Sequence, residues 1–397
     1  MTIQSLDLTS SKLDRSFLKT IDPLVKLRSC VQCGTCSATC PTAYAMDYSP
    51  RQLWRMVQLG MRDEVLNSQT FWLCTTCKAC QVRCSQGIDL MNVMIALKEY
   101  AFSNDINVPE EIKAFGETIS VSYNISGDDN HNRQIWSHNL GRIPPGVEPR
   151  RERAEVLYFI GCVSSFYPRG YGIPQSLVRI MDRVQTEFTT VGGDEWCCGY
   201  PLYIAGMTDQ MVKFARHNVE QARAIGAKKV VFTCPSCYYA WAALYPEFVD
   251  LSGIQLQHAS EFLADLLVRD RVPLGPVEQR VTYHDPCDLG RKSEVYDAPR
   301  EVLARIPGLE FCEMSASREN ALCCGGGGDV EVADQDVPIG VAARRLAQVQ
   351  ATGAKYVVSA CQQCKRTLQD GARQNRIRVR AMDLTELVWN SVLAAVK

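Results

Sequence analysis

The cysteines of this 397-residue chain fall into groups, and two of these groups have nearly the same spacing. One group runs from Cys162 to Cys237 and the other from Cys287 to Cys364, and each contains a single cysteine, an adjacent pair and a C-x2-C pair. The intervening segments hold 34 and 35 residues in the first group and 35 and 36 in the second. A long spacing that occurs twice indicates that five thiolates converge on one centre in each repeat. Five thiolates at one centre favour an iron–sulfur cluster.

Two further groups lie near the N-terminus, in CVQCGTCSATCP (30–41) and CTTCKACQVRCS (74–85). Both have the C-x2-C-x2-C-x3-C spacing of bacterial two-cluster ferredoxins, in which the fourth cysteine of each run binds the other cluster. The spacing therefore predicts two cubane [4Fe-4S] clusters. The predicted ligands of the first are Cys30, Cys33, Cys36 and Cys84, and those of the second are Cys74, Cys77, Cys80 and Cys40. Ferredoxin runs usually end in Cys-Pro, and here Cys84 is followed by Ser85 instead.

Zinc and disulfides are the alternatives for so many cysteines. Zinc sites use four ligands, usually as two pairs, which suits five cysteines with an adjacent pair badly. Disulfides are typical of small secreted domains, whereas this chain is long and its first residues lack the apolar core of a signal peptide. Eighteen of the nineteen cysteines fall into cluster spacings. We therefore expect the protein to lie in the reducing cytoplasm, and peripheral association with a membrane complex stays open. We expect Cys312, the remaining cysteine, to be a small buried hydrophobe.

The overall composition excludes several classes of function. The net charge of -1 gives no reason to expect nucleic-acid binding, and no apolar run of about 18 residues predicts membrane insertion. No strand is followed by a G-x-G-x-x-G sequence, so a flavin or nicotinamide cofactor is expected on a partner protein.

The pattern of apolar residues predicts an α+β fold with a helical ferredoxin-like domain over residues 1–124. Residues 1–28 are expected to be a mostly helical lead-in, and the segments 49–66 and 89–102 have helical periodicity. Residues 125–153 are polar and rich in Pro and Gly, which favours a plain linker over a segment that covers the next domain.

The rest of the chain is an internal repeat, predicted as two α/β domains over 154–277 and 278–397. In each repeat a short apolar strand leads into the single cysteine, and a second one, GAKKVVFTCPSC or GAKYVVSACQQC, leads into the C-x2-C pair. Amphipathic helices separate the strands, which predicts a parallel sheet. Ligands of such sheets collect at the carboxyl ends of the strands, where these cysteines lie.

With these motifs the chain resembles the heterodisulfide reductase family. Its N-terminal third is similar to the C-type subunit, which has two cubane clusters, and the remainder is similar to the B-type subunit, which has two cysteine-rich CCG domains. The resemblance implies two noncubane [4Fe-4S] clusters, between which a disulfide is reduced. The implied ligands of one are Cys162, Cys197, Cys198, Cys234 and Cys237, and those of the other are Cys287, Cys323, Cys324, Cys361 and Cys364.

Two functions are in competition on these grounds. In the first, a flavin-containing A-type subunit or another flavoprotein gives electrons to the cubane clusters, which pass them to the CCG clusters for reduction of a disulfide or similar acceptor. In the second, the chain is an electron-transfer adaptor that links a flavin dehydrogenase or a bifurcating complex to quinone or another acceptor. In either case it is a subunit of a multi-subunit redox complex, and whether this chain itself is catalytic stays open.

The first function gives roles to residues around the second CCG set. Catalysis is expected to be centred on the clusters at Cys198 and Cys324. Gly325 and Gly326 are expected to place backbone N–H groups against cluster sulfur. His284, with Asp285, is a candidate proton source and Arg291 a candidate anion-binding group, although a structural role is favoured for each of these polar residues.

Overall fold

A computed structural model describes residues 13–14, 16–23 and 26–396, so residues 1–12 of the expected lead-in lie outside the described part. The N-terminal part is helical, as expected. It contains a 3-10 helix over Lys26–Ser29 and the α-helices α1 (Phe17–Ile21), α2 (Thr35–Thr39), α3 (Pro50–Leu59), α4 (Arg62–Leu66), α5 (Ala79–Val82), α6 (Leu90–Ser103) and α7 (Glu110–Ser122). Among the described residues, no helix is both long and apolar enough to cross a bilayer.

Local sequence signals explain the bounds of α3, the helix between the two ferredoxin runs. Ser49 caps its N-terminus, where the Gln52 side chain accepts the Ser49 backbone N–H at 2.9 Å, and Pro50 occupies the first turn. Gly60 ends the helix in the left-handed conformation at φ +78°. The segment predicted as one helix is therefore two, α3 and α4.

The first repeat forms a four-stranded parallel sheet in the order β2-β1-β3-β4. Its helices pack on the faces of this sheet. The elements are β1 (Val156–Phe159), α8 (Cys162–Phe166), α9 (Gly172–Arg183), β2 (Phe188–Thr189), α10 (Tyr200–Ile204), α11 (Thr208–Ile225), β3 (Lys229–Phe232), α12 (Pro235–Tyr239), β4 (Gln255–His258) and α13 (Ala259–Val268).

The second repeat has the same topology, with strand order β6-β5-β7-β8 and every pair parallel. The predicted α/β repeat is therefore confirmed, although the sequence did not indicate the outer strands. The elements are β5 (Arg280–His284), α14 (Asp297–Ala304), β6 (Glu310–Phe311), α15 (Val330–Ala333), α16 (Asp336–Ala351), β7 (Tyr356–Ser359), α17 (Gln362–Gln374), β8 (Arg380–Asp383) and α18 (Leu384–Ala395).

The central strands of each sheet deliver cysteines to one edge. In the first sheet β1 and β3 are neighbours, with Phe159 opposite Phe232, so Cys162 and Cys234 leave the sheet side by side. In the second sheet β5 and β7 place Cys287 and Cys361 in the same way. Parallel pairing thus brings together thiols that are more than 70 residues apart in sequence.

The two repeats are packed against each other through apolar helix faces. Helix α9 packs on α18 and α13 packs on α14, and one continuous core contains Leu177 and Met181 of the first repeat with Leu387 and Val388 of the second. This packing fixes the two cysteine-bearing sheet edges relative to each other.

Residues 125–153 are not the plain linker that the sequence favoured. They contain a 3-10 helix over Asn130–Ser137, whose Trp136 is fully buried in the core that the two repeats share. Arg133 in the same helix is also fully buried, and it points toward Cys162. Burial of a tryptophan and an arginine makes this segment part of the first repeat's packing.

Candidate iron–sulfur centres and the cavity between them

The cysteines that the spacing assigns to each cubane cluster surround a small cavity of their own. One cavity is lined by Cys30, Cys33, Cys36 and Cys84, and the other by Cys74, Cys77, Cys80 and Cys40. The fourth cysteine of each run therefore reaches across to the other run, as in two-cluster ferredoxins. Cys80 also lines the first cavity, so the two positions are neighbours. Cys33 is exposed, which places the first position at the protein surface.

The state of these thiols fits metal ligation. All nineteen cysteines, each within the described residues, are free of disulfides. Burial raises the pKa of the Cys40 thiol to about 12 and raises that of Cys80 well above its ordinary value. Such thiols stay protonated at neutral pH unless a cation binds the thiolate, which iron does.

A cavity of about 120 Å³ lies between the two repeats, and nine cysteines line it. All five cysteines of the first CCG set contribute, and so do four of the second. The fifth cysteine of the second set, Cys323, contacts Cys287 and Cys324 on one side and Cys77 of the ferredoxin-like part on the other. The two sets therefore face each other across one space.

Side chains between the cysteines hold the two repeats together at this cavity. Gln362, which lies between Cys361 and Cys364, donates to the Ile160 carbonyl at 2.6 Å and accepts the Ser164 N–H at 3.1 Å. In the opposite direction, Ser236 of the first C-x2-C pair donates to Asp288 of the second repeat at 2.5 Å. Each C-x2-C pair is thus hydrogen-bonded to residues next to the single cysteine of the other repeat.

A buried ion pair supports the first CCG set. The Arg133 guanidinium lies 3.6 Å from the Cys162 sulfur and 3.0 Å from the Glu195 carboxylate, and both charged side chains are fully buried. The Glu195 oxygens also accept the backbone N–H groups of Ile160 and Gly161 at 2.9 Å. Burial raises the pKa of Glu195, an effect that Arg133 and the two N–H groups oppose. A positive charge beside Cys162 stabilises the thiolate form.

A different pair supports the second set. His284 lies with Cys324 and Cys364, their ligand atoms all within 4.8 Å of one another, and its Nδ1 accepts the Arg345 Nε–H at 3.0 Å. Burial lowers the pKa of His284, so its ring is neutral. Because Nδ1 accepts a hydrogen bond, the ring proton is on Nε2, which is buried and has no hydrogen-bond partner among the described residues. His284 therefore lies beside the second set, as predicted, and its role in proton supply stays a prediction.

Two other polar candidates have structural partners. Asp285 forms a two-point ion pair with Arg300, with distances of 2.7 and 3.0 Å. Arg291 donates to the carbonyls of Cys77, at 2.6 Å, and Ala321, at 2.7 Å, and does not line the shared cavity. These contacts agree with the structural role that was favoured for Arg291, whose side chain lies outside the cavity and donates to backbone carbonyls.

The glycine run after Cys324 brings the backbone close to sulfur. The N–H of Gly325 lies 3.3 Å from the Cys323 sulfur, and the N–H of Gly326 lies 3.5 Å from the Cys324 sulfur. Gly325 has φ +98° and Gly328 has φ +74°, and a Cβ atom on Gly328 would overlap the Cys74 carbonyl. The run therefore donates N–H groups to sulfur and also lets the ferredoxin-like part approach the second repeat.

The expected burial of Cys312 is wrong in degree. This cysteine follows β6 and is only half-buried, and its thiol lies 3.2 Å from the Val281 carbonyl. It lines none of the cavities described above.

The donor sets fit iron–sulfur clusters better than zinc. Each CCG set places five sulfurs together, and backbone N–H groups or a guanidinium point at these sulfurs. Such N–H···S contacts are typical of iron–sulfur sites, where they set the potential. The cysteines named above would hold the clusters, two in the ferredoxin-like part and one in each repeat.

Comparison with known proteins agrees with this arrangement. The family model of the 4Fe-4S dicluster domain matches residues 26–88, and the family model of the cysteine-rich domain matches residues 156–241 and 281–369. One component of the dihydromethanophenazine:CoB–CoM heterodisulfide reductase of Methanosarcina mazei is 32% identical, over 92% of this chain and 94% of that protein. The chain belongs to the heterodisulfide reductase family. Both C-type and B-type parts are present in this one polypeptide.

Two further similarities are more distant. The EtfAB:quinone oxidoreductase of Syntrophomonas wolfei is 25% identical over 93% of this chain and 58% of that protein. A hypothetical protein from Helicobacter pylori, known from a crystal structure, has a similar fold, with a TM-score of 0.56 and 9% identity over 95% of this chain and 76% of that one.

Sequence reasoning missed Arg133, Glu195 and Asp329. Asp329 lines the shared cavity, burial raises its pKa to about 7, and its Oδ2 atom has no hydrogen-bond partner among the described residues. A positive φ of 56° at a residue other than glycine marks it as constrained. Its place directly after the glycine run was the available signal.

Proposed function

We propose that this chain is the iron–sulfur subunit of a heterodisulfide-reductase-like complex and that it reduces a disulfide in the cavity between its two repeats. The observation that carries the proposal is this single cavity, lined by cysteines of both CCG sets. A disulfide has two sulfur atoms, and a site between two redox centres gives each sulfur one centre. When bound, the clusters would supply single electrons and an iron that a sulfur atom can approach.

The order of the cysteine sets supports a path for electrons. Cys33 opens the first cubane position to the surface, Cys80 is shared by the two cubane positions, and Cys77 contacts Cys323 of the second CCG set. Electrons from a flavoprotein partner would thus enter at the surface and reach the second repeat before the first. The overall reaction consumes two electrons and two protons, breaks one S–S bond and releases two thiols.

The protein part of the site keeps these components in place. Gln362 and Ser236 hold the two cysteine edges at a fixed separation, while Arg133 and the N–H groups of Gly325 and Gly326 stabilise thiolate charge. Pro201, Ile204 and Val332 form an apolar part of the cavity wall. A space of fixed shape favours the approach of one disulfide to both sets.

The test uses the reconstituted chain with reduced methyl viologen as the electron donor and bis(2-hydroxyethyl) disulfide as the acceptor. We expect two thiols for every two viologens oxidised. Cys198→Ala and Cys324→Ala should each reduce turnover to background, because each opens one side of the shared site. Cys312→Ala is the matched control, since this cysteine lies outside the cavities, and it should keep full turnover.

A second function is supported by the Syntrophomonas relative, which is named an EtfAB:quinone oxidoreductase and matches nearly the whole chain. In that case the chain carries electrons to another acceptor without disulfide chemistry. Electron transfer from viologen to a quinone analogue, with no thiol formed from any disulfide, would favour this adaptor function over the first. The adaptor function leaves the shared cavity without a purpose.

A further inference from the structure

The surface around Cys33, the exposed cysteine of the first cubane set, is basic. Residues 26–61 carry four basic side chains and one acidic side chain, a net charge of +3, whereas the whole chain carries -1. All four cations are exposed, and they are Lys26, Arg28, Arg51 and Arg55. The single carboxylate of this range, on Asp47, accepts the Gln69 backbone N–H at 2.6 Å. Positive charge is therefore concentrated in this segment of a chain that is close to neutral.

These cations lie together on two neighbouring elements. Arg51 and Arg55 are one turn apart on α3, and the 3-10 helix over Lys26–Ser29 packs against α3. The Arg55 guanidinium donates to the Gln58 side chain at 3.3 Å, and the Gln58 amide donates to the Leu27 carbonyl at 2.8 Å. Because Leu27 is flanked by the other two cations, the four charges form one patch. This patch, the basic face, consists of Lys26, Arg28, Arg51 and Arg55.

The basic face reaches the first cubane position. Arg51 is the one charged side chain among the described residues that line the first cubane cavity. A Cβ atom on Gly34, which follows Cys33, would lie 3.7 Å from the Cδ atom of Arg51. The Arg51 backbone N–H donates to the Ser37 hydroxyl at 2.9 Å, which fixes the start of α3 against α2. A molecule that approaches Cys33 therefore meets a positive charge beside the cluster position.

No carboxylate in the described part of the chain neutralises the basic face. The first ion pair along the described residues joins Arg62 to Asp63, outside the face, and none of the four cations takes part in a later one. Arg51 and Arg55 are like charges four positions apart in a helix, so they repel each other. Cations with this arrangement are available to an anionic surface outside the chain.

The shape of this region suits a protein better than a small anion. The first cubane cavity has a volume of about 20 Å³ and is bounded by the cysteines that would hold the cluster, so it offers no second space for a ligand. Val31, between two of these cysteines, is 62% exposed. An exposed apolar side chain beside charged ones is typical of contact surfaces between proteins.

We propose that the basic face is the docking surface of an electron-donor protein whose cofactor is surrounded by acidic side chains, with Arg51 as the contact nearest the cluster. Opposite charges steer such a donor to Cys33 and orient its cofactor toward the first cubane position. The inference rests on the proposed function for one step, the entry of electrons at this position, and it applies equally to the adaptor function.

Stopped-flow reduction of the reconstituted chain tests the steering. The donors are flavodoxin hydroquinone, a small acidic flavoprotein, and reduced methyl viologen, a small cation, and reduction is followed at the cubane clusters. Because salt screens steering, the second-order rate constant for flavodoxin should fall at least about tenfold between roughly 20 mM and 500 mM ionic strength. The rate constant for the viologen should not fall.

Two double variants locate the effect. Arg51→Gln with Arg55→Gln should lower the ratio of the flavodoxin to the viologen rate constant by about fivefold or more at low salt. The ratio is the readout because a change in cluster potential affects both donors. Lys26→Gln with Arg28→Gln should lower it as well, without altering a residue that lines the cavity. Arg378→Gln, at an exposed arginine of the second repeat, is the matched control and should leave the ratio unchanged.

The outcomes separate the partner from its alternatives. A flavodoxin rate constant that does not fall with salt, or a ratio unchanged in both double variants, overturns the inference. The assignment is also wrong if vesicles of phosphatidylglycerol and phosphatidylcholine bind wild type and not the double variants while the ratio stays the same, because the face then binds a membrane. Disulfide turnover with viologen is measured on the same samples. Its absence counts against the proposed chemistry and leaves a salt-dependent, variant-sensitive flavodoxin reaction in place.

Discussion

Removal of the Arg133 charge should lower the potential of one cluster alone. The guanidinium lies 3.6 Å from the Cys162 sulfur with no solvent between them, so it stabilises the added electron of a reduced cluster at the first CCG set. At an effective dielectric constant of about 20, unit charges at this distance attract by roughly 4–5 kcal/mol. The Glu195 carboxylate, which pairs with the same guanidinium, offsets about half of this attraction energy. Loss of the arginine alone leaves the Glu195 charge in place, so the whole attraction is lost and the potential should fall by about 200 mV for one electron. Loss of both charges removes only the net of about 2 kcal/mol, which corresponds to a shift on the order of 100 mV.

Anaerobic potentiometric titration, followed by electron paramagnetic resonance, measures this shift in Arg133→Met. Arg142→Met is the matched control, because Arg142 is in the same segment with a side chain that is 76% exposed. The single variant leaves Glu195 buried without its cation, which we expect to cost about 3–5 kcal/mol of unfolding free energy. Arg133→Met with Glu195→Gln should regain most of this stability and show about half of the lowering in potential, because the opposing charge is removed as well. An unchanged or raised potential in both variants, or an equal shift of all clusters, would refute the reasoning.

Three further predictions concern the electron path, the repeat interface and pH. Cys77→Ser should stop the transfer of electrons from the cubane clusters to the CCG clusters, because Cys77 contacts Cys323. Cys33→Ser, at the surface, should slow electron entry and leave the CCG cluster content unchanged. Rapid-freeze spectra would follow the electron transfer, and iron analysis would measure the cluster content. Gln362→Glu should lower the unfolding free energy by about 2–4 kcal/mol in denaturant titrations, since it buries a charge and loses the hydrogen bond to the Ile160 carbonyl. Unaltered stability would show that the Gln362 hydrogen bonds do not hold the two repeats together. Burial raises the pKa of Asp383 to about 7, above its value in the unfolded chain, so the unfolding free energy should fall as pH rises from about 4 to 7. Asp383→Asn keeps the helix cap and should flatten this part of a plot of apparent Tm against pH.

The sequence predicted the parts of the site that depend on local chain direction. Strands β1, β3, β5 and β7 are short apolar runs that end next to cysteines, and their parallel pairing follows from the helices between them. The crossing of Cys40 and Cys84 between the ferredoxin runs follows from spacing alone, and the cavities have this arrangement.

What the sequence did not predict depends on packing between distant segments. Arg133 lies 29 residues before Cys162 in a polar stretch, and only the fold of that stretch onto the first repeat brings its charge to the sulfur. Contact between Cys77 and Cys323 depends on how the ferredoxin-like part docks. Strands β4 and β8, with the sequences QLQH and RAMD, lack an apolar run, because they form the outer edge of each sheet.

The central claim is that a disulfide substrate meets both CCG sets in one cavity, and isotope labelling tests it most directly. Oxidised holoprotein is mixed with 2-selenoethanol that is enriched in selenium-77, which has a nuclear spin, and its electron paramagnetic resonance spectrum is compared with that of the unlabelled compound. We predict isotope-dependent broadening of CCG cluster signals in wild type, none in the cubane signals, and loss of the broadening at the altered set in Cys198→Ala or Cys324→Ala. Broadening of the cubane signals instead, or of no signal while electrons still pass through the chain, would contradict the account.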